Sequence, residues 1–115
     1  IAHPNFGLLI DVWHVWREPI ITERLAKLEN IFAAHLCDWP KGEPRAVADR
    51  AIPGEGMIDL SGLFRAIEKT GFSGAYALEL FSADHLPDSL WRQDPKIVIE
   101  KSRENFYKAW EARGA

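Results

Sequence analysis

Three short runs along the chain are nearly continuously apolar. They cover residues 6–10, 31–36 and 75–81. A strand with one solvent-exposed face alternates hydrophobic and polar positions, whereas a strand covered on both faces reads as an almost unbroken apolar run. The pattern therefore predicts three buried strands of a parallel sheet.

The segments between these runs carry apolar residues at helical spacing. In residues 20–30, Leu25 belongs to such a pattern and Thr22 is the expected N-cap. A second helix is expected to begin after Asp59, which can cap it. This helix should stop before Gly71, because glycine readily adopts the left-handed backbone that follows many helices. The pattern predicts one helix in each connection.

A third and longer helix follows the last apolar run. Pro95 suits the first turn after Asp94, and the helical pattern continues to about residue 113. The expected buried stripe of this helix consists of Ile99, Phe106 and Trp110. Strand and helix thus alternate three times, which is typical of a parallel α/β fold.

Length and charge narrow the class of protein. A chain of 115 residues forms at most one domain, and its net charge of -3 argues against a nucleic-acid partner, since phosphate binding favours a basic surface. Cys37 is the only cysteine, so the chain cannot form an internal disulfide, which indicates a reducing compartment. No apolar stretch approaches the roughly 18 residues of a membrane span, and the first residues show no signal-peptide pattern. We therefore expect a cytoplasmic protein without a membrane partner.

A side chain that can bind a metal lies at the end of each predicted strand. Asp11 follows the first run, His35 stands near the end of the second, and Glu79 lies in the third. The carboxyl ends of parallel strands meet at one edge of a sheet, so these side chains are expected to converge. Two carboxylates and an imidazole form a mixed oxygen and nitrogen set that suits Mn²⁺, Mg²⁺, Co²⁺ or Zn²⁺.

Each of these three residues also has a purely structural interpretation. Asp11 could cap a helix or a turn, and His35 could be a hydrogen-bonded histidine of the core. Glu79 is harder to explain in this way, because burying an unpaired carboxylate in a strand is costly. Their equivalent positions at three strand ends favour a shared metal site over three separate structural roles.

Four sequence segments in a fixed order carry a family resemblance. They are residues 4–14 (PNFGLLIDVWH), 35–38 (HLCD), 49–59 (DRAIPGEGMID) and 71–74 (GFSG), and the last leads into the strand with Glu79. Together they resemble the xylose-isomerase-like TIM-barrel superfamily, and in particular its sugar phosphate isomerase/epimerase branch. A complete barrel needs roughly 200 residues or more. The resemblance thus implies that residues 1–115 are the C-terminal portion of a single TIM-barrel domain, with about three of its eight βα units.

The resemblance implies roles for individual residues. Asp11, His35 and Glu79 correspond to metal ligands on strands six, seven and eight, and we expect Mn²⁺ before the other divalent ions. Glu79 would also be a catalytic base. His14 and Arg50 correspond to residues that contact substrate oxygens. The family's fourth ligand, a glutamate at the end of strand five, would lie before the first residue of this chain.

The implied reaction is a metal-dependent isomerisation or epimerisation of a ketose or related polyol through an enediolate. The expected partner is a small sugar or sugar phosphate. An inosose-type dehydration of a cyclic polyol begins with the same step and stays open. The chain is also expected either to form a homo-oligomer or to lack the N-terminal half of its barrel. A non-catalytic barrel fragment is a further alternative.

A metal-dependent phosphodiesterase is another alternative. The superfamily contains an apurinic-site endonuclease that uses three zinc ions and shares the pattern of Asp11 and His14. It has an Asp-Arg-His pattern where this chain has Asp49, Arg50 and Ala51. Alanine at position 51 lacks a ligand for the third metal, and together with the acidic charge balance this makes nuclease activity the less favoured interpretation.

The tryptophans of the same region have two interpretations. Trp13 and Trp16 can form the wall of a sugar pocket by stacking, or they can pack under the rim of the barrel. Trp39 has the same two alternatives.

Asp38 and Cys37 lie close to His35 in the sequence, and this position suggests a role for each. Asp38 is either a partner that orients His35 or Arg50, or an exposed acid of the loop. Cys37 is expected to be a small buried hydrophobe and not a ligand.

Overall fold

Three parallel strands form one sheet, and their order in the sheet is their order along the chain. The computed structural model describes residues 3–115, so Ile1 and Ala2 of the expected 1–115 unit lie outside the described residues. The strands are Leu8–Asp11 (β1), Ile31–Leu36 (β2) and Tyr76–Leu78 (β3). The predicted parallel α/β architecture is confirmed.

The first and third strands are shorter than the apolar runs that predicted them. Phe6 lies before β1, and Glu79 follows β3 directly instead of lying within it. In the register of the sheet, Asp11 of β1 pairs with His35 of β2, and His35 pairs with Ala77 of β3. Side chains alternate between the two faces of a strand, so these three positions share one face of the sheet.

Helices occupy the connections and the C-terminal part of the chain. Their bounds are Val12–Val15 (α1), Ile21–Leu25 (α2), Leu60–Glu68 (α3) and Pro95–Ala112 (α4), with a short 3₁₀ segment at Leu90–Arg92. None of the helices in residues 3–115 combines the length and the apolar character that a membrane crossing requires.

Two of the expected helix caps are present and one is not. Asp59 accepts a hydrogen bond from the backbone N–H of Gly62, and Asp94 accepts one from that of Lys96, as predicted. Thr22 does not cap α2. The N-cap position lies two residues earlier, at Ile20, whose backbone is left-handed (φ 54°) and whose side chain makes no capping hydrogen bond.

The core lies on one face of the sheet, between the strands and the helices. Residues of β1, β2 and α3 dominate it, and its members include Ile10, Ala34, Leu36, Leu63, Phe64 and Ile67. The expected stripe of α4 is partly wrong. Phe106 and Trp110 pack against this core, but Ile99 is 58% exposed and Val98 is buried in its place. The prediction is therefore wrong only near the start of the helix, where three apolar residues are adjacent and the pattern does not show which of them faces the core.

The loop between β2 and α3 is long and is organised by Asp38. Its carboxylate is 1% exposed and accepts backbone hydrogen bonds from Trp39, Gly54 and Ile58 at 2.8–2.9 Å. An isolated bridge also pairs Asp38 with Ala51. Both interpretations of Asp38 from sequence were wrong, since it neither orients a site residue nor lies exposed in solvent. It satisfies backbone donors that would otherwise be buried without partners.

Candidate metal and substrate site

Asp11, His35 and Glu79 converge at the carboxyl end of the sheet. One ligand atom from each residue lies within 4.8 Å of those of the other two. The strands account for this convergence, because Asp11 ends β1, His35 lies one residue before the end of β2, and Glu79 follows β3. All three side chains are partly buried. The expected convergence of these residues is therefore present.

Hydrogen bonds orient the two carboxylates differently. Asp11 accepts the backbone N–H of Trp13 through Oδ1 at 3.0 Å, which caps α1 and leaves Oδ2 directed at the cluster. The two interpretations of Asp11 from sequence, a helix cap and a cluster member, are thus compatible. Glu79 places Oε1 3.2 Å from Nδ1 of His35. The cluster offers oxygen and nitrogen donors to one shared point.

Arg50 lies against both carboxylates. Its Nη1 is 3.1 Å from Oδ2 of Asp11 and 2.9 Å from Oε2 of Glu79. The side chain is 6% exposed. Burial alone would lower the pKa of the guanidinium, but Cys37, Asp11 and Glu79 outweigh it and hold the pKa above its usual value. Arg50 is therefore a permanent cation inside the cluster.

The aromatic rings of Trp13 and Phe81 fix the position of the guanidinium. The Cζ atom of Arg50 lies 5.2 Å from the ring centroid of Trp13 and 4.9 Å from that of Phe81. The backbone N–H of Arg50 also donates to the carbonyl of Phe81 at 3.2 Å. The contact between Arg50 and the carboxylates could not be read from sequence, because it depends on the path of the irregular loop.

Cys37 is buried beside the cluster and is not part of it. Its Sγ lies 3.7 Å from Nη1 of Arg50. Burial raises the pKa of the Cys37 thiol to about 12. A neutral thiol is a poor metal ligand, since the thiolate is the form that binds metals. This agrees with the expectation of a small buried residue.

His14 lies at the exposed edge of the cluster. Its side chain is 68% exposed, and its Nε2 is 3.7 Å from Oδ2 of Asp11. This position leaves the ring free to meet a small molecule that approaches from solvent.

The three tryptophans form one aromatic group next to the cluster. Trp13 and Trp39 lie with ring centroids 4.4 Å apart, and Trp16 lies 5.4 Å from Trp39. Trp13 is buried and packs under the rim, where it also contacts Arg50. Trp16 is only partly buried, and its Nε1 has no hydrogen-bond partner within residues 3–115.

Arg45, Asp49 and Asp88 form an ion-pair network that sequence reasoning missed. Arg45 donates to Asp49 through its backbone N–H, Nε and Nη2, each at 2.9 Å, and through Nη1 to Asp88 at 2.8 Å. These hydrogen bonds lower the pKa of both carboxyl groups. The spacing of four residues between Arg45 and Asp49 was the available signal, but that spacing brings residues together reliably only in a helix.

The network also removes Asp49 from the list of free ligands. Its carboxylate is buried and fully engaged with Arg45, and Ala51 two residues later has no donor side chain. A three-metal phosphodiesterase would need further metal ligands in this part of the loop. Neither Asp49 nor Ala51 can provide one.

The donors of Asp11, His35 and Glu79 suit a divalent cation. Carboxylate oxygens and imidazole nitrogens are the ligands of zinc at about 2.0–2.2 Å, and the same mixed set accepts Mn²⁺, Mg²⁺ and Co²⁺. The three donor atoms lie within 4.8 Å of one another, which is close to the separation of ligands that share one ion. The residues present therefore fit a metal ion.

Comparison with known proteins identifies relatives over most of the chain. The family described as "Xylose isomerase-like TIM barrel" matches residues 1–107. The inosose isomerase of Halalkalibacterium halodurans is 30% identical over 90 residues, which cover 74% of this chain and 32% of that protein. The L-ribulose-5-phosphate 3-epimerase of Escherichia coli is 26% identical over 106 residues, which cover 90% of this chain and 34% of that protein. The chain thus spans about a third of the length of the curated relatives it matches.

Two solved structures extend the likeness to three dimensions. Protein SMc04130 from Sinorhizobium meliloti 1021 aligns with a TM-score of 0.76 at 36% identity, over 93% of this chain and 38% of that one. The IOLI protein, solved with a zinc atom bound, aligns with a TM-score of 0.70 at 25% identity, over 90% of this chain and 37% of that one.

Proposed function

Because the chain belongs to the xylose isomerase-like TIM barrel family, we propose that the complete protein carrying it is a divalent-metal-dependent isomerase or epimerase. Its substrate is a ketose or related polyol, either free or phosphorylated. The observation that carries the proposal is the cluster of Asp11, His35 and Glu79, whose donor atoms lie within 4.8 Å of one another at the end of the sheet.

The relatives support the class of substrate and the need for a metal. The curated ones are named an inosose isomerase and an L-ribulose-5-phosphate 3-epimerase. A zinc atom in the IOLI structure supports a metal in this family at moderate sequence identity. Mn²⁺ is our first candidate for this chain, and Mg²⁺, Co²⁺ or Zn²⁺ could replace it because the same ligands accept them.

In this proposal Asp11, His35 and Glu79 hold the ion. When bound, it supplies positive charge that stabilises the oxyanion of an enediolate. Glu79 is the catalytic base, and its carboxylate takes the proton from the carbon beside the substrate carbonyl. His35 is positioned to steady that carboxylate, since its Nδ1 lies 3.2 Å from Oε1 of Glu79.

Other residues bind the substrate. His14 is exposed at the edge of the cluster and can contact a sugar oxygen. Arg50 retains donors other than Nη1 for the same purpose. Trp16 offers a partly buried ring, whereas Trp13 contributes mainly by supporting Arg50.

We further propose that residues 1–115 are the C-terminal portion of one TIM-barrel domain. The strands β1, β2 and β3 then correspond to strands six, seven and eight, and a fourth ligand comes from the preceding strand of the complete protein. A homo-oligomer and a cytoplasmic location remain part of the proposal. The single buried Cys37 fits a reducing compartment.

The test is solvent deuterium exchange at the carbon beside the carbonyl, followed by NMR with the complete protein. Inosose and L-ribulose 5-phosphate are the first substrates to try. Exchange should require Mn²⁺, stop with chelator, and be nearly abolished by Glu79→Gln, because the amide cannot accept the proton. The matched control is Glu100→Gln, an exposed residue of α4, which should exchange at the normal rate.

Two results would contradict the proposal. Exchange that continues at full rate in Glu79→Gln would remove the assignment of the base, and exchange that ignores chelator would remove the role of the metal. Loss of water from the labelled substrate would identify the dehydratase alternative, since that reaction begins with the same proton removal. Absence of exchange in a folded protein would favour the non-catalytic alternative.

A further inference from the structure

We propose that Arg50 is the built-in counter-cation of Asp11 and Glu79, and that it lowers the affinity of the cluster for a divalent ion while stabilising the cluster without one. The inference rests on the proposed function in one respect only, which is that Asp11, His35 and Glu79 are the metal ligands. It goes beyond substrate contact, because it assigns Arg50 a role before any substrate arrives.

The contacts of Nη1 carry the first step. This one nitrogen lies 3.1 Å from Oδ2 of Asp11 and 2.9 Å from Oε2 of Glu79, so it bridges the two carboxylates. The other oxygen of Asp11 is engaged by the backbone N–H of Trp13. The oxygen of Asp11 that is free to bind a metal is therefore the one that already accepts from Arg50.

The second step is that this cation cannot leave by losing its proton. A lysine or histidine beside a metal site can become neutral, but the guanidinium of an arginine stays charged at any ordinary pH. Its surroundings also restrict movement, because Trp13 and Phe81 flank it and its own backbone is tied to Phe81. An incoming ion therefore meets a fixed positive charge.

The net charge of the cluster depends on whether Arg50 is present. Without Arg50, two carboxylates within 4.8 Å of each other would repel in a partly buried site. With Arg50, one negative charge is neutralised, which favours the metal-free cluster and weakens its attraction for a divalent ion. The same residue thus preserves the geometry of the ligands and sets their affinity.

Arg50 also retains donors that the carboxylates do not use. Its Nε is buried and has no hydrogen-bond partner in the described part of the chain. A buried donor without a partner is costly. The position of Arg50 is therefore decided by the contacts of Nη1 with the carboxylates and not by a hydrogen bond of Nε.

The experiment measures the affinity of the complete, metal-free protein for Mn²⁺ by calorimetric titration, and its thermal unfolding in chelator. Arg50→Met removes the charge and keeps a similar length. We expect this variant to bind Mn²⁺ about 10-fold to 100-fold more tightly, the scale of effects from groups that contact metal ligands. In chelator its melting temperature should fall, and added Mn²⁺ should raise it by more than in the parent protein.

Two further variants make the result specific. Arg24→Met removes an exposed arginine of α2 that pairs with Glu18, so it tests for a general effect of net charge and should bind Mn²⁺ like the parent. Arg50→Gln keeps a donor group but no charge, and it should also bind more tightly. It serves as the test if the methionine variant does not fold.

The possible failures can be told apart. If the parent protein binds Mn²⁺ and both Arg50 variants bind it equally or more weakly, the counter-cation role is overturned while the proposed metal site stands. If neither the parent nor the variants bind any of the four divalent ions, the metal site itself is overturned, and this inference falls with it. The inference is supported if the Arg50 variants bind Mn²⁺ more tightly than the parent protein and Arg24→Met does not.

Discussion

Asp38 is a buried carboxylate that stabilises the loop between β2 and α3. Its hydrogen bonds determine how much free energy of unfolding a substitution would remove. Oδ1 accepts from the backbone of Trp39 and Ile58, and Oδ2 accepts from that of Gly54. These three bonds hold the loop from which Arg50 reaches the cluster. Asp38 therefore acts on the site only by shaping the backbone.

The substitution Asp38→Asn tests this role. The amide would direct an NH₂ group at a backbone N–H, so at least one buried donor would lose its acceptor. We expect the free energy of unfolding of the complete protein to fall by about 2 to 3 kcal/mol, as for lost hydrogen bonds to a charged group. Urea unfolding measures this change. Asp84→Asn, at an exposed position of another loop, should leave stability unaltered, and an equally stable Asp38→Asn protein would contradict the account.

Individual residues differ in how well sequence predicted them. The three cluster residues were predicted because each is tied to a strand end, and strand ends follow from the local hydrophobic pattern. The contacts of Asp38, Arg45 and Arg50 were not predicted, since they depend on the path of a loop that has no periodicity. Proline and glycine mark where such a loop turns, but they do not determine which side chains it brings together.

At the scale of elements, the network of Arg45 ties two loops to each other. Asp49 belongs to the loop between β2 and α3, and Asp88 belongs to the segment between β3 and α4. Asp49 directly precedes Arg50 in the chain. The network therefore anchors the backbone that delivers Arg50 to the carboxylates.

The substitution Arg45→Met should lower the urea midpoint of unfolding at neutral pH, and the difference should disappear in acid. Hydrogen bonding to Arg45 lowers the pKa of Asp49 and Asp88 below the ordinary value of 3.8. The resulting stability is present above that value and is lost as the pH falls through the lowered pKa. The gap between the parent and the variant should thus narrow as the pH falls below 3.8 and close once both carboxyl groups are protonated in the folded protein. A gap that persists unchanged in acid would contradict an ionic origin.

The elements themselves were predicted more reliably than their ends and phases. The parallel sheet, the cap at Asp59 and the helix after Asp94 follow from short-range rules of spacing and capping. The start of α2 and the buried residue near the start of α4 were missed, because each is decided by contacts outside the element. Ile99 illustrates this, since one position along α4 separates a buried face from an exposed one.

At the scale of the whole molecule, the chain has the properties of part of a barrel. It spans about a third of the length of its curated relatives. Within residues 3–115, β1 and β3 each have one strand edge without a neighbour. The face of the sheet opposite the core is also open, with Leu9 54% exposed on it. Unpaired edges and apolar faces favour association with other strands.

We therefore expect the isolated 115-residue chain to self-associate or aggregate. Sedimentation velocity over a range of concentrations measures this directly, with the complete protein as the comparison. Backbone groups at the open edges would pair between copies, so the average mass should rise with concentration. A stable monomer that unfolds in one cooperative transition would show that these edges need no partner.

Anomalous diffraction from crystals of the complete protein soaked in Mn²⁺ tests directly whether Asp11, His35 and Glu79 bind a metal ion. We expect an anomalous peak at about 2.0–2.2 Å from an oxygen of Asp11, a nitrogen of His35 and an oxygen of Glu79. His35→Ala crystals treated in the same way should lose most of the peak. A manganese ion bound elsewhere in the protein, with these three side chains left without a metal, would contradict the account.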